Sequence, residues 1–412
     1  MDTYADNSFT AGSQQPVLAP YLPNELITIV VGHLHDDKQA LQTCSRIASA
    51  WVDPSYRHLF SQIFISVDDP NWLVKLYGDI ERYSRLGNYA RRLMLWTFKD
   101  PNAACIPVCH HIISSILHFA PNIKDITFFG LLFDCKHGAV EHVTHSIELD
   151  RMVIRNCLSA GGPIVPLILS NFSTVKTLQI ARYSGPTSTA SSSRSSHLQI
   201  YDFDYDAPAA ADILSTISNS PTSFAMSFHD ASQIGEFNAF ITSTGAEIRQ
   251  LLLRPMGRLA DPISIRGEDF VNLDLSLCKQ LQVLRIVALG EYHLDEVIAD
   301  QSQRMLWDAV AHIVSSSPSG LPVIHLDLTV EAEARDSFER TFQWESMDGT
   351  LACRPGLRSV IFTLFVEDTD LELKDEEEVY SSMITKRMHR VAKLGLLDLR
   401  LKVTQRIPHD WD

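Results

Sequence analysis

One apolar spacing recurs along most of the chain, and it constrains the fold more than any other feature. It places three apolar residues at positions one, four and six of a short segment. The last two positions are two residues apart. On a β-strand successive side chains point to opposite faces, so these two side chains would share one face. The occurrences are Ala90/Leu93/Leu95, Ile123/Ile126/Phe128, Val175/Leu178/Ile180, Ile248/Leu251/Leu253, Leu281/Leu284/Ile286, Val323/Leu326/Leu328, Leu357/Val360/Phe362 and Leu394/Leu397/Leu399. A strand repeated in this way predicts an internally repetitive protein.

The intervals between these strands indicate helices. Most intervals are 33 to 42 residues, but one of 73 residues contains two further alternating runs, at 197–203 and 224–228. Apolar residues recur at helical spacing in three segments that lie between strands, at 112–119, 210–217 and 305–314. Repeated strand-plus-helix units resemble leucine-rich-repeat solenoids, whose regular repeats have ~20–29 residues. We therefore expect an irregular leucine-rich-repeat-like α/β solenoid over residues 67–412.

A doubly wound α/β domain is the alternative fold, because it also alternates strand and helix. The sequence favours the solenoid, since some eleven strands are many for one open sheet. The Ser-rich segment 184–196 is expected to be a flexible loop inserted between repeats.

The segment 22–60 has helical spacing and predicts a compact three-helix module. Pro23 suits a first helical position, where its missing N–H has no partner in any case. Asp36 and Asp37 offer an N-cap for the second helix, and Pro54 is expected to end the third. The period then changes to that of a strand at 62–67. We expect residues 1–17 to be disordered and residues 18–66 to form the module.

These residues also carry a resemblance to a family. The matching features are Leu22-Pro23-x-Glu25-Leu26, Leu34-x-Asp36-x-x-x-Ala40-Leu41, Cys44-Ser45-x-Ile47, Trp51 and Leu59-Phe60. They resemble the F-box-like module, in the version abundant in mushroom-forming fungi. One departure is Ala48-Ser49-Ala50, where relatives often carry a bulkier or basic residue before the tryptophan. The expected architecture is thus α/β, with an N-terminal three-helix F-box-like module followed by the irregular solenoid.

The resemblance implies a partner and an interface. F-box modules bind the Skp-type adaptor of cullin-based ubiquitin ligases through apolar helix-to-helix contacts. The interface positions carried over by the resemblance are Leu22, Pro23, Leu26, Ile29, Leu41, Cys44, Ile47 and Trp51. The tryptophan has an equally good interpretation as a core residue that joins the three helices.

The repeats would then bind the target protein. On the strand register above, the side chains between the buried positions point to solvent, and Arg254, Arg285, His325 and Asp327 are the candidate target-binding residues. The sequence therefore predicts a non-catalytic substrate receptor of an SCF-type (Skp adaptor–cullin–F-box) E3 ubiquitin ligase with an unknown protein substrate. The alternatives are a repeat scaffold whose F-box-like module only caps the solenoid, and a hydrolase with an α/β core.

Composition restricts the remaining function classes. The formal net charge of −15 argues against nucleic acid and anionic membrane as main partners, because both are recognised through clustered Lys and Arg. We expect no secretory signal and no membrane span. The 7 cysteines are scattered, as reduced intracellular thiols are, so a cytoplasmic or nuclear location is expected.

No catalytic or metal-binding motif stands out, so we expect a non-enzyme without a cofactor. Nucleophile elbows and phosphate-binding glycine loops are absent from the sequence. Two clusters of His and Cys have residue types that can bind zinc: Cys105, Cys109, His110 and His111, and Cys135, His137, His142 and His145. Neither has two short ligand pairs at finger-like spacing, so no metal site is predicted.

Overall fold

The computed structural model divides into two compact units, Met1–Gln62 and Ile63–Asp412. It describes residues 22–69, 71–82, 85–98, 107–134, 147–160, 164–184, 199–206, 221–255, 267–289, 296–331, 335–368 and 373–405. The N-terminus predicted to be disordered, nearly all of the Ser-rich loop and the helix predicted at 210–217 lie outside these ranges. Within them, every helix is too short or too polar to cross a bilayer.

The first unit contains three helices: α1 Asn24–His33, α2 Lys38–Cys44 and α3 Ser49–Leu59. Its small core consists of Ile27, Val31 and Leu41. The predicted cap of the second helix is present, because the Asp37 carboxylate accepts a 2.9 Å hydrogen bond from the Ala40 N–H.

The prediction that Pro54 ends the third helix is wrong. Pro54 lies inside α3, which continues to Leu59. Proline removes one helical hydrogen bond, but the continued helix lets Trp51 and Leu59 both pack on the core of the unit. Packing at both ends of α3 therefore outweighs the lost hydrogen bond.

The second unit is built on one large sheet. Its twelve strands are β1 Gln62–Ser66, β2 Arg92–Trp96, β3 Asp125–Phe129, β5 Ile147–Arg155, β7 Phe172–Ala181, β8 Gln199–Asp206, β9 Ser223–Ser227, β10 Gln250–Arg254, β11 Val283–Leu289, β12 Val323–Glu331, β13 Ser359–Asp368 and β14 Leu397–Gln405. From β2 to β14 every neighbouring pair is parallel. The strands follow one another in sequence order, whereas a doubly wound sheet reverses its order at a switch point.

Helices connect most of these strands, as the α/β prediction requires. They are α4 Trp72–Arg82, α5 His110–Phe119, α6 Ile164–Leu169, α7 Ser232–Thr244, α8 Glu296–Ser316, α9 Arg335–Thr341, α10 Trp344–Ala352, α11 Leu373–Arg387 and α12 His389–Lys393. A second, two-stranded parallel sheet joins β4 Leu132–Phe133 to β6 Leu158–Ser159. The described chain is therefore an α/β protein with a large parallel sheet.

The apolar positions of the repeat form one continuous row across the sheet. Strand pairing brings the last apolar position of the repeat on one strand next to that on the following strand, except on β12, where Leu326 takes this place. The row runs through Leu95, Phe128, Ile154, Ile180, Tyr205, Met226, Leu253, Ile286, Leu326, Phe362 and Leu399. All but Leu399, on the last strand of the sheet, are buried. The apolar spacing thus sets the strand register.

Two details of the repeat differ from the prediction. Strand β5 was not predicted, although Leu149, Met152 and Ile154 have the same spacing and are buried. On β12 the register aligns Ile324 and Leu326 with Leu284 and Ile286, two residues before the predicted positions. Apolar residues occupy both registers of β12, so the spacing alone did not distinguish them.

Three strands end in the same left-handed turn. Gly130, Asn156 and Arg182 follow β3, β5 and β7 at equivalent positions, with φ of 70°, 54° and 52°. The left-handed region costs a non-glycine residue roughly 1–2 kcal/mol. After the turn, Leu132 and Phe133 pair with Leu158 and Ser159 in the second sheet, so the turn redirects the chain from one sheet into the other.

We expect Gly130→Ala to destabilise the chain more than Gly395→Ala. Both glycines have similar φ, 70° and 67°, so both substitutions cost roughly 1–2 kcal/mol of backbone strain. A Cβ at Gly130 would also lie 2.5 Å from the Thr97 carbonyl oxygen, whereas no atom lies within 4 Å at Gly395. The clash should add about 1–3 kcal/mol. Urea unfolding of the two variants measures the difference, and equal losses would contradict the close approach.

Candidate functional site

Five apolar side chains of the first unit are exposed, and together they are called here the module surface: Leu22, Leu26, Ile29, Val30 and Ile47. Leu26 and Ile29 lie on α1, on the side away from its buried residues Ile27 and Val31. Ile29 is 56% exposed and Ile47 is 60% exposed. Helix α1 is therefore apolar on two sides, and only one of them packs within the unit.

The predicted adaptor-binding residues separate into two groups. Leu22, Pro23, Leu26, Ile29 and Ile47 are exposed. Leu41 and Cys44 are buried, and Trp51 is half-buried against the unit's core. The first group is accessible to a partner, whereas the second supports the three helices that present it.

The predicted target-binding residues lie on the face of the sheet opposite the buried row. Register places Arg285 on β11 next to His325 on β12, and the Arg285 guanidinium forms an ion pair with Asp327. The expectation that Asp327 is solvent-exposed is wrong, since only 3% of it is accessible. The neighbouring guanidinium allows the carboxylate to be buried, because it supplies the opposite charge.

Arg254 lies on β10, and it is also paired. Its Nη1 donates to the Asp204 carboxylate at 2.9 Å and to Ser227 Oγ at 3.3 Å. Both candidate arginines therefore hold carboxylates from other strands: Arg285 pairs with the neighbouring β12, and Arg254 pairs with β8, two strands away. The basic surface suggested by the sequence is locally charge-balanced at these positions.

Burial lowers the pKa of His325 below its ordinary value of 6.5. Asp327 and Asp398 raise this pKa and Arg285 and Arg400 lower it, but burial has the largest effect. The folded chain therefore keeps the His325 imidazole neutral down to a lower pH than the unfolded chain does.

This shift predicts acid sensitivity. Between the lowered pKa and about 6.5, the unfolded chain binds a proton at His325 that the folded chain does not. Stability from this residue is complete above about pH 6.5 and falls as the pH drops below it. Urea midpoints measured from pH 7.5 to pH 5 should decline less steeply for His325→Gln than for the wild type. Parallel curves would refute the assignment to His325.

An aromatic cluster on the first strands was not predicted. Trp96 and Phe98 pack edge to face with ring centroids 4.5 Å apart, and Phe129 lies 6.5 Å from Phe98. Phe98 is 82% exposed. The alternation of Trp96 and Phe98 is the available sequence signal, but the same pattern also fits a continued strand and does not by itself indicate a surface cluster.

Comparison with known proteins does not assign the chain to a family, so its class is described from the fold alone. No family model matches the chain, and no curated protein is significantly similar to it. The fold defines an α/β protein with a large parallel sheet in sequence order, preceded by a separate three-helix unit.

Proposed function

We propose that the chain is a non-catalytic substrate receptor of an SCF-type E3 ubiquitin ligase. In this proposal the three-helix unit is an F-box-like module that binds a Skp-type adaptor and, through it, cullin. The sheet-containing unit binds the protein target and brings it close to the ligase. The exposure of Leu26, Ile29 and Ile47 on the module surface carries the proposal.

The physical argument for a partner is the unburied apolar area. Removing a Leu or Ile side chain completely from water contributes roughly 1.5–3 kcal/mol. Leu26 and Ile29 are about half exposed and lie on one side of a helix, which suits insertion among a partner's helices. The buried core of the unit, Ile27, Val31 and Leu41, keeps that side in place.

We also propose that the second unit is an irregular leucine-rich-repeat-like solenoid. Strand order that follows the sequence and the continuous row of buried apolar residues support this interpretation. The opposite face of the sheet would then be the target-binding face. It presents the ion-paired Arg254 and Arg285 together with the half-buried His325.

Co-purification of the full chain with a Skp-type adaptor tests the proposal. The expected result is a stoichiometric complex. Ligases of this type act in the cytoplasm and nucleus, so the proposal places the chain there. A charge placed on Val74, 73% exposed on α4 and outside the module, should leave capture unchanged. If the wild-type chain does not capture the adaptor at micromolar concentrations, the alternative of a repeat scaffold with a capping module replaces the proposal.

A further inference from the structure

Three metal-binding side chains converge at the start of α5. Cys109, His110 and His111 are consecutive, and their thiol and imidazole ligand atoms all lie within 4.8 Å of one another. His110 is buried, and the other two are half-buried. Within the described ranges, no other three His, Cys, Asp or Glu side chains form such a group.

Local backbone geometry explains how neighbouring residues converge. Cys109 is extended, with φ −95° and ψ 149°, and His110 is the first helical residue. The chain therefore bends between the thiol and the imidazoles instead of spreading them around a helix. The two imidazole rings lie with centroids 4.0 Å apart and planes tilted by 35°. Val108, just before the cluster, forms a parallel bridge with Phe133, which ties the cluster to the second sheet.

The distances suit a tetrahedral transition metal. Zinc binds cysteine sulfur at about 2.3 Å and histidine nitrogen at about 2.0–2.1 Å, so the two ligand atoms stand about 3.6 Å apart at a tetrahedral angle. The Cys109 Sγ and His110 Nδ1 are 3.8 Å apart without a metal. For this pair, little movement separates the arrangement from a coordinated one; the ligand atoms of all three residues lie within 4.8 Å of one another.

Two of the other described cysteines, Cys157 and Cys278, have a different environment from Cys109. Burial raises the pKa of Cys157 and of Cys278 to about 12, so these thiols stay protonated. A metal ligand must be a thiolate, so these two are packing residues. Cys109, half-buried beside two imidazoles, has a different environment.

We propose that Cys109, His110 and His111 bind one transition-metal ion of the zinc type. One sulfur and two imidazole nitrogens form a donor set that suits Zn²⁺ better than Mg²⁺ or Ca²⁺. On binding, the Cys109 thiol gives its proton to solvent, and water or another donor fills the fourth position. Sequence spacing did not predict this site, because the ligands are adjacent instead of coming from two separated pairs.

Zinc titration of the reduced, chelator-stripped full chain tests the site. Competition with a chromophoric chelator should show one Zn²⁺ bound per chain. Cys109→Ser and His111→Gln should each weaken binding at least ~100-fold, since even outer-shell changes cost about 10–100-fold. The matched controls are Cys353→Ser, an exposed cysteine, and His118→Gln, an exposed histidine on the same helix. Both should bind zinc as the wild type does.

A spectroscopic measurement separates coordination from loss of structure. Co²⁺ in place of Zn²⁺ should give a sulfur-to-cobalt charge-transfer band that disappears in Cys109→Ser and remains in Cys353→Ser. Far-UV circular dichroism must show both variants folded. The proposal is overturned if the wild type binds no more zinc than a Cys109→Ser/His111→Gln double variant, or if the folded Cys109→Ser variant keeps the charge-transfer band.

Discussion

Replacing Leu26 and Ile29 together by aspartate should lower the affinity for a Skp-type adaptor by roughly 100- to 1,000-fold. An interface residue that dominates binding contributes at least ~2 kcal/mol, and each 1.4 kcal/mol is about tenfold in affinity. Aspartate also places an unpaired charge in an apolar contact, which adds a desolvation cost. Titration calorimetry with the purified adaptor measures the change.

The controls for this prediction use the division between exposed and buried residues. Leu26 and Ile29 are 47% and 56% exposed, so the double variant should keep the helicity and unfolding midpoint of the wild type. Leu41→Ala should also lose binding, but through unfolding of the three helices, because Leu41 is fully buried. A folded double variant that binds the adaptor like the wild type would show that the module surface is not the interface.

Much of the sheet was predictable because its information is local. At least two of the three apolar positions in each repeat sit on a strand, two residues apart, and this period is visible in a few residues. The structure aligns Leu251 with Leu284 and Val360 with Leu397, as repeated strands of the same spacing should be. The spacing recurs in many segments, so it identifies the strands even though the intervals between them differ in length.

Features set by distant residues were not predictable. Asp327 is buried because Arg285, on the neighbouring strand, covers its carboxylate. Pro54 remains helical because residues on both sides of it pack on a shared core. In each case a tertiary contact outweighs the local preference of the residue, and that contact has no short-range signal.

The exposed side of the module was predictable only through the resemblance. Ile27 and Ile29 are both apolar and two residues apart on one helix, yet Ile27 is buried and Ile29 is exposed. Residue type alone does not separate them. The interface positions carried over from the F-box family included Ile29 and left out Ile27.

Replacing Trp307 by alanine should lower the free energy of unfolding of the second unit by about 3–5 kcal/mol. Trp307 lies on α8 and is 1% exposed. Its ring packs edge to face on Phe338 at 5.5 Å and on Phe342 at 5.3 Å. Its indole Nε1–H also donates to Thr341 Oγ1 at 3.2 Å. Alanine would leave a cavity and remove a buried hydrogen bond together.

Two further variants separate the contributions at Trp307. Trp307→Phe keeps an aromatic ring but loses the indole N–H, so it should retain most of the stability and lose on the order of 1 kcal/mol for the hydrogen bond, plus a smaller packing loss. Val74→Ala trims a side chain that is 73% exposed on α4, and a surface change of this kind should stay within about 0.5 kcal/mol. Urea unfolding followed by far-UV circular dichroism compares the three variants.

The effect of Trp307→Ala should also extend beyond α8. Phe342 and Trp344 both reach Phe362 on β13, with ring centroids 6.2 Å away, so the rings around Trp307 join α8 to β13. Amide hydrogen exchange should therefore accelerate on β12 and β13 while β2 and β3 change little, because a repeat contacts mainly its neighbours. Uniform acceleration across the sheet would mean that the repeats unfold as one cooperative block. If Trp307→Ala lowered the free energy of unfolding by less than about 1 kcal/mol, the assignment of Trp307 as a packed core residue would be refuted.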